Sequence, residues 1–265
     1  MRARFAVVQA LFVALLSSTA GCVSFADYSV TIYGEEFIEE GIPASEVADG
    51  WAIVFTRFLI AVDGVRATSP TSSLDASGPV VFDLSLPTDG AGTELALLRG
   101  QSGTYDTFTY AFAPLVEGSG ATGGVDDVAS LEAQGASLLV EGRATKGDVA
   151  KRFTWSMATA IGHRCEVAAV VGGEGTATSE ITIHADHLFY DSLVDDEPAL
   201  RFDLFASADA DDDGEITLDE LAVVDIRGEE HYGTGSLPVR DLRAYLLAQS
   251  GTLGHIDGEG HCEWE

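Results

Sequence analysis

Lysine is almost missing from this 265-residue chain. Lys146 and Lys151 stand beside twelve arginines, the acids number 43, and the formal net charge is −29. A surface of that sign repels phosphate backbones, which argues against any nucleic-acid partner. It repels anionic headgroups too, so attachment to a membrane needs something other than a basic patch. The apolar run Phe5–Leu16 is shorter than the roughly 20 residues a membrane-crossing helix requires. No Gly-x-Ser-x-Gly nucleophile elbow occurs. Gly118-Ser119-Gly120-Ala121-Thr122-Gly123 matches a dinucleotide-binding glycine pattern, but the segments around it lack the parallel βαβ unit such a site needs. No catalytic constellation emerges. The acidity itself is accounted for by solubility.

What is present begins with an export signal. Arg2 and Arg4 form a short positive region, Phe5–Leu16 has the length of a signal-peptide core, and Ser17-Ser18-Thr19-Ala20-Gly21 is small and polar. Cys22 follows at once. The segment resembles a bacterial lipoprotein signal, whose lipobox ends in Ala-Gly-Cys. The resemblance implies lipidation of Cys22, a membrane partner through that anchor, and a place in the cell envelope on the periplasmic or outer face. Without residues 1–21 the net charge becomes −31.

From Tyr28 to Tyr190 the pattern is that of strands. Trp51–Val62 is a long apolar run ending in Asp63-Gly64, which predicts a hairpin turn. Glu94–Leu98 and Thr104–Phe112 flank Gly100–Gly103 and predict another hairpin. Ala136–Ala144 and Val149–Met157 flank Thr145-Lys146-Gly147-Asp148, again turn chemistry. His163–Val171 and Thr176–Tyr190 are joined by residues 172–175. Seven to nine strands at this spacing predict a mainly-β fold, an antiparallel β-sandwich or barrel. Asp126–Gln134 reads as a short helix. After Tyr190 the pattern turns helical: Asp195, Asp196 and Glu197 before Pro198 predict a helix start, and Leu242, Tyr245 and Leu246 lie on one stripe of a helix over about 237–249. The expected organisation is residues 1–21 as signal peptide, 22–27 as lipidated tether, 28–190 as β-sandwich and 191–265 as a helical region packed on it.

The sharpest motif lies in that last region. Asp209, Asp211 and Asp213 alternate, Gly214 follows, and Glu220 closes a twelve-residue segment. Calcium is a hard cation that takes six to eight oxygens. The three aspartates at loop positions 1, 3 and 5 offer carboxylates to one centre, and Gly214 permits the sharp turn. Glu215 offers its carbonyl, Thr217 its hydroxyl or a bound water, and Glu220 a bidentate carboxylate. Thr217 and Glu220 also have capping-box spacing, so a helix starts there. The segment resembles the EF-hand family, with Phe205 and Leu221 at that family's apolar helix positions. The family usually pairs two loops through position 8, and no second loop is found, so Ile216 needs a partner elsewhere. In an exported protein, calcium here is expected to be structural rather than a switch.

With Cys22 assigned to the anchor, Cys165 and Cys262 remain, and an even pair in an oxidising compartment predicts a disulfide. The bridge would bring His163 near His261, with His255, Asp257 and Glu259 close in sequence. Copper or zinc is the alternative to calcium as the functional ion there, since imidazole suits both. His184 and His187 form a second group around Asp186. They can share an ion only if their strand bends, because in a straight strand His187 points the other way. For both groups the competing explanation is ordinary packing or surface histidines. Trp51, Trp155 and the stripe Tyr105, Phe108, Tyr110 and Phe112 are read as sandwich core.

Overall fold

The computed structural model describes residues 24–172, 176–258, 260 and 262–264. The chain is mainly β. In order it forms β1 (Phe25–Tyr33), helix α1 (Glu35–Glu39), β2 (Ala52–Thr68), β3 (Ser73–Asp75), β4 (Val80–Asp83), β5 (Thr93–Gln101) and β6 (Gly103–Phe112). Helix α2 (Val125–Gln134), β7 (Leu138–Lys146), β8 (Val149–Met157), β9 (Ile161–Val171), β10 (Ala177–Ile183) and a 3-10 helix (Ala185–Phe189) follow. The last part holds α3 (Asp203–Ala206), β11 (Glu215–Ile216), α4 (Leu218–Leu221), α5 (Leu242–Gln249), β12 (Gly254–Ile256) and β13 (Cys262–Trp264).

The strands form two sheets. The larger runs β11-β8-β7-β2-β6-β9-β13, with β3 and β4 also on β2, and the smaller runs β12-β10-β1-β5. Alternation explains the sandwich-like arrangement. Along β1, Tyr28, Val30 and Ile32 are fully buried, while the residues between them are partly exposed. That is the period-two pattern of a sheet with one covered face. One continuous core joins β1, β2, β6, β8 and β10 to Phe202, Phe205 and Tyr245 from the C-terminal segment.

Several expectations need correcting. The sheets are mixed: β1 pairs with β10 in parallel, and so does β11 with β8. Asp63-Gly64 is no hairpin turn. The strand runs on to Thr68, and its register to β6 shifts between Asp63 and Arg66. Gly64, at φ +63°, supplies the left-handed residue of a bulge instead. β5 and β6 are not a hairpin either, because they belong to different sheets. The β7–β8 hairpin forms as expected, Leu138 opposite Met157 through Lys146 opposite Val149. β9 and β10 lie in separate sheets, and residues 173–175 between them lie outside the described residues.

The helix expected from Pro198 begins only at Asp203. Asp191 accepts the Ala199 N–H at 2.9 Å, and Leu200 bridges Val47 and Tyr190, which keeps that stretch extended. Asp49 then caps α3, accepting the N–H groups of Phe202 and Asp203 at 2.8 and 2.7 Å. α5 starts at Leu242, where Asp241 accepts the Ala244 N–H at 2.8 Å. Among the described residues no helix is long and apolar enough to cross a membrane.

Candidate metal-binding sites

The acidic loop sits between α3 and α4, and its first carboxylate organises it. Asp209 accepts the N–H groups of Asp213 at 3.1 Å and Gly214 at 2.9 Å. Asp213 accepts that of Glu215 at 2.7 Å. Gly214 has φ +82°, the left-handed turn expected of it. One carboxylate oxygen from each of Asp209, Asp211 and Asp213 lies within 4.8 Å of the others. The capping box is formed: Glu220 accepts the Thr217 N–H at 2.8 Å, and the Thr217 hydroxyl accepts the Glu220 N–H at 3.2 Å. Glu220 also reaches back across the loop to the Ala210 N–H at 3.1 Å. Phe205 and Leu221 are fully buried on either side.

Ile216 finds its partner in the sandwich. β11 adds to β8 in parallel, Ile216 opposite Phe153, and the buried Trp155 indole donates to the Ile216 carbonyl at 2.9 Å. The edge of the larger sheet is thus the partner that Ile216 requires. One participant had no sequence signal: Lys151 of β8 donates to Asp209 and lies 3.7 Å from Asp212. Its hydrogen bond is the main reason the Asp209 carboxyl titrates below the usual carboxylate range, against opposition from burial. Glu220 is held low chiefly by the Thr217 N–H.

The cysteines are bridged, Cys165 to Cys262, across 97 positions. They face each other in the β9–β13 ladder. Of the histidine group expected beside the bridge, His163 and His255 lie among the described residues. His163 is a core residue: its ring stacks on Tyr110 at 4.6 Å with an interplanar angle of 4°, and Phe112 lies 4.6 Å away. Burial pushes its pKa down to about 4. An inward-facing residue of β9 meets the inner face of β6, so aromatic packing takes the imidazole. His261, like Cys22, lies outside the described residues.

The histidines that do converge are others. β10 ends at Ile183 and the chain bends into the 3-10 helix, with His184 as its N-cap. That bend brings His184 and His187 to one side, their ring centroids 5.3 Å apart. β12 pairs with the end of β10, Thr182 opposite His255. The His255 ring therefore lies 4.4 Å from that of His184 and 5.2 Å from that of His187. Asp186 joins two of the three: one ligand atom each from His184, Asp186 and His187 lie within 4.8 Å of one another. Burial first, and then the neighbouring His184, lowers the His187 pKa to about 4, so this ring is neutral at physiological pH. A neutral imidazole is the form that binds metal.

No protein-family model matches the chain, and no curated protein sequence matches it. A solved structure, MbnP from Methylosinus trichosporium, is similar over 63% of this chain and 78% of that chain, with 10% identity and a TM-score of 0.36. A likeness at that level carries no argument about fold or function.

Proposed function

We propose that this is a calcium-binding protein of the cell envelope, exported and anchored through a lipid on Cys22, in which calcium at Asp209–Glu220 is a structural clamp. The observation that carries the calcium assignment is the loop itself. Three aspartate oxygens gather within 4.8 Å, the turn glycine has its left-handed φ, and Glu220 folds back across the loop. Position 8 is fixed to β8, so an ion drawing the loop together would also hold α3 and α4 against the sandwich. The anchor rests on the lipobox-like segment. Mass spectrometry of the membrane-extracted protein tests it: a diacyl mass on an N-terminal Cys22 peptide is expected, and an unmodified or differently cleaved N-terminus would refute it. Calcium titration monitored by thermal unfolding tests the clamp.

A second reading, copper or zinc binding, is favoured by one observation: three imidazole rings converge with centroids 4.4–5.3 Å apart. Elemental analysis after calcium-free dialysis and loading with each ion tests it, one equivalent retained being the expected result.

A further inference from the structure

The group around the 3-10 helix presents lone pairs to itself. Glu35 lies 3.2 Å from His184 Nδ1. An N–H at Nδ1 donates to that carboxylate and leaves the lone pair on Nε2. Nε2 is buried and has no hydrogen-bond partner among the described residues. The His187 tautomer follows from its neighbour. The Thr252 hydroxyl donates to the Gln249 carbonyl at 2.9 Å, so its oxygen, 3.0 Å from His187 Nδ1, accepts from Nδ1–H. That again leaves the lone pair on Nε2. Asp186 brings a carboxylate whose Oδ2 accepts the Tyr190 hydroxyl at 2.8 Å. Among the described residues no lysine or arginine forms an ion pair with Asp186. Acceptors gathered this closely suit a cation, and a buried nitrogen without a partner in a native fold calls for an explanation, a bound ion being one.

We infer that His184, Asp186, His187 and His255 form a divalent transition-metal site, with Glu35 as the positioning residue that fixes the His184 ring. The inference rests on the copper-or-zinc reading and assigns its donors. A carboxylate holding the far nitrogen of a metal-binding imidazole is the common outer-shell device. Its backbone suits that role: Glu35 sits at φ +50°, and Gly34 before it packs so closely that a Cβ would lie 2.8 Å from the Leu84 Cβ. A strained residue held in place by its surroundings marks a position the fold insists on. The donor set selects the ion class. Among the described residues the sulfurs are the disulfide of Cys165 and Cys262 and the fully buried Met157, so soft monovalent copper finds no thiolate or thioether. Imidazoles with one carboxylate suit zinc and divalent copper, and copper binds the tighter of the two.

The test uses untagged full-length exported protein, kept in calcium and titrated separately with Zn2+ and Cu2+ against a chromophoric chelator. One equivalent of either ion is expected, with several imidazole nitrogens in the Cu2+ electron spin echo spectrum. His187→Ala and His255→Ala alter half-buried positions. Each should keep the near-UV circular dichroism and the calcium-dependent melting of the wild type, yet lose one nitrogen signal and most of the affinity. Glu35→Gln should keep the nitrogen count, lose about 10–100-fold in affinity, and be partly rescued by Glu35→Asp. Wild-type affinity in folded His187→Ala and His255→Ala would overturn the donor assignment alone. A wild-type protein that binds neither ion would overturn the copper-or-zinc reading and the assignment with it.

Discussion

Chelating calcium should loosen this fold by an amount the loop makes predictable. Asp209, Asp211 and Asp213 meet at one place, Glu220 folds back to the Ala210 N–H, and among the described residues one ammonium, that of Lys151, is paired with Asp209. EF-hand loops in extracellular modules bind calcium with Kd of about 10⁻⁴–10⁻³ M. At about 10 mM calcium, binding to the native state alone then stabilises by roughly 1.4–2.7 kcal/mol. For a chain of this size each kcal/mol moves Tm by about 2–4 °C, so the shift should be roughly 3–11 °C. Differential scanning calorimetry with calcium and with chelator measures it. A net charge of −29 means that any divalent ion also relieves general repulsion, so two controls matter. Magnesium at the same ionic strength should stabilise less, because it prefers a rigid octahedral shell that keeps its waters. Glu220→Gln should abolish most of the calcium-specific part. Lys151→Met should melt earlier in chelator and gain more from calcium, since calcium then displaces no ammonium from Asp209. Coincident melting curves in calcium and chelator would refute the clamp. So would a Glu220→Gln protein that responds to calcium as the wild type does.

Three further outcomes are expected. His163 titrates near 4 in the fold because it is buried and near 6.5 when unfolded, so the unfolded chain takes up its proton first as pH falls. The stability is present above pH 6.5 and lost towards pH 4, about 3 kcal/mol in all, and urea unfolding of His163→Phe should show that slope removed. Replacing Cys165 and Cys262 together by Ser should cost up to about 4.7 kcal/mol in the chain-entropy model, read as a lower urea midpoint with a larger m-value, because the unbridged chain unfolds to a more open state. Trp155→Phe leaves the Ile216 carbonyl without its indole donor and should cost about 1–3 kcal/mol while weakening calcium binding, measured by calorimetric titration.

Local chemistry made part of this structure legible and non-local pairing hid the rest. The acidic loop could be read because its requirements all lie within twelve residues. The β7–β8 hairpin could be read because Gly147, at φ +58°, sits between two alternating strands. Asp63-Gly64 misled because a left-handed glycine serves a bulge as well as a turn. Nothing local distinguishes β5–β6, a crossing between sheets, from a hairpin, since both need only strand, glycine, strand. The parallel pairing of β1 with β10 joins residues about 150 positions apart, beyond any periodicity. The disulfide was legible from counting, whereas the packing of His163 against Tyr110 of β6 was not, because it depends on a pairing between distant strands. His184 and His187 required a bend that residue types alone do not show, and Glu35 and Lys151 reach their sites from distant elements.

The two candidate sites share a set of aromatic rings, and that connection carries a last prediction. Phe189 closes the 3-10 helix that bears His187. Its ring lies 5.8 Å from Phe205 of α3 and 6.2 Å from Trp155, and Trp155 holds the Ile216 carbonyl of the acidic loop. Anything that draws α3 and β11 onto the sandwich therefore also fixes the floor on which the histidine segment rests. Calcium should then tighten copper or zinc binding, and by linkage the transition metal should tighten calcium binding by the same factor. A coupling of about 1 kcal/mol would appear as roughly a fivefold change in either affinity. Titrating copper with calcium and then with magnesium in its place, and calcium with and without zinc, measures both sides of the cycle. Equal copper affinities in calcium and in magnesium, from a protein whose melting does respond to calcium, would show that the aromatic contact transmits nothing.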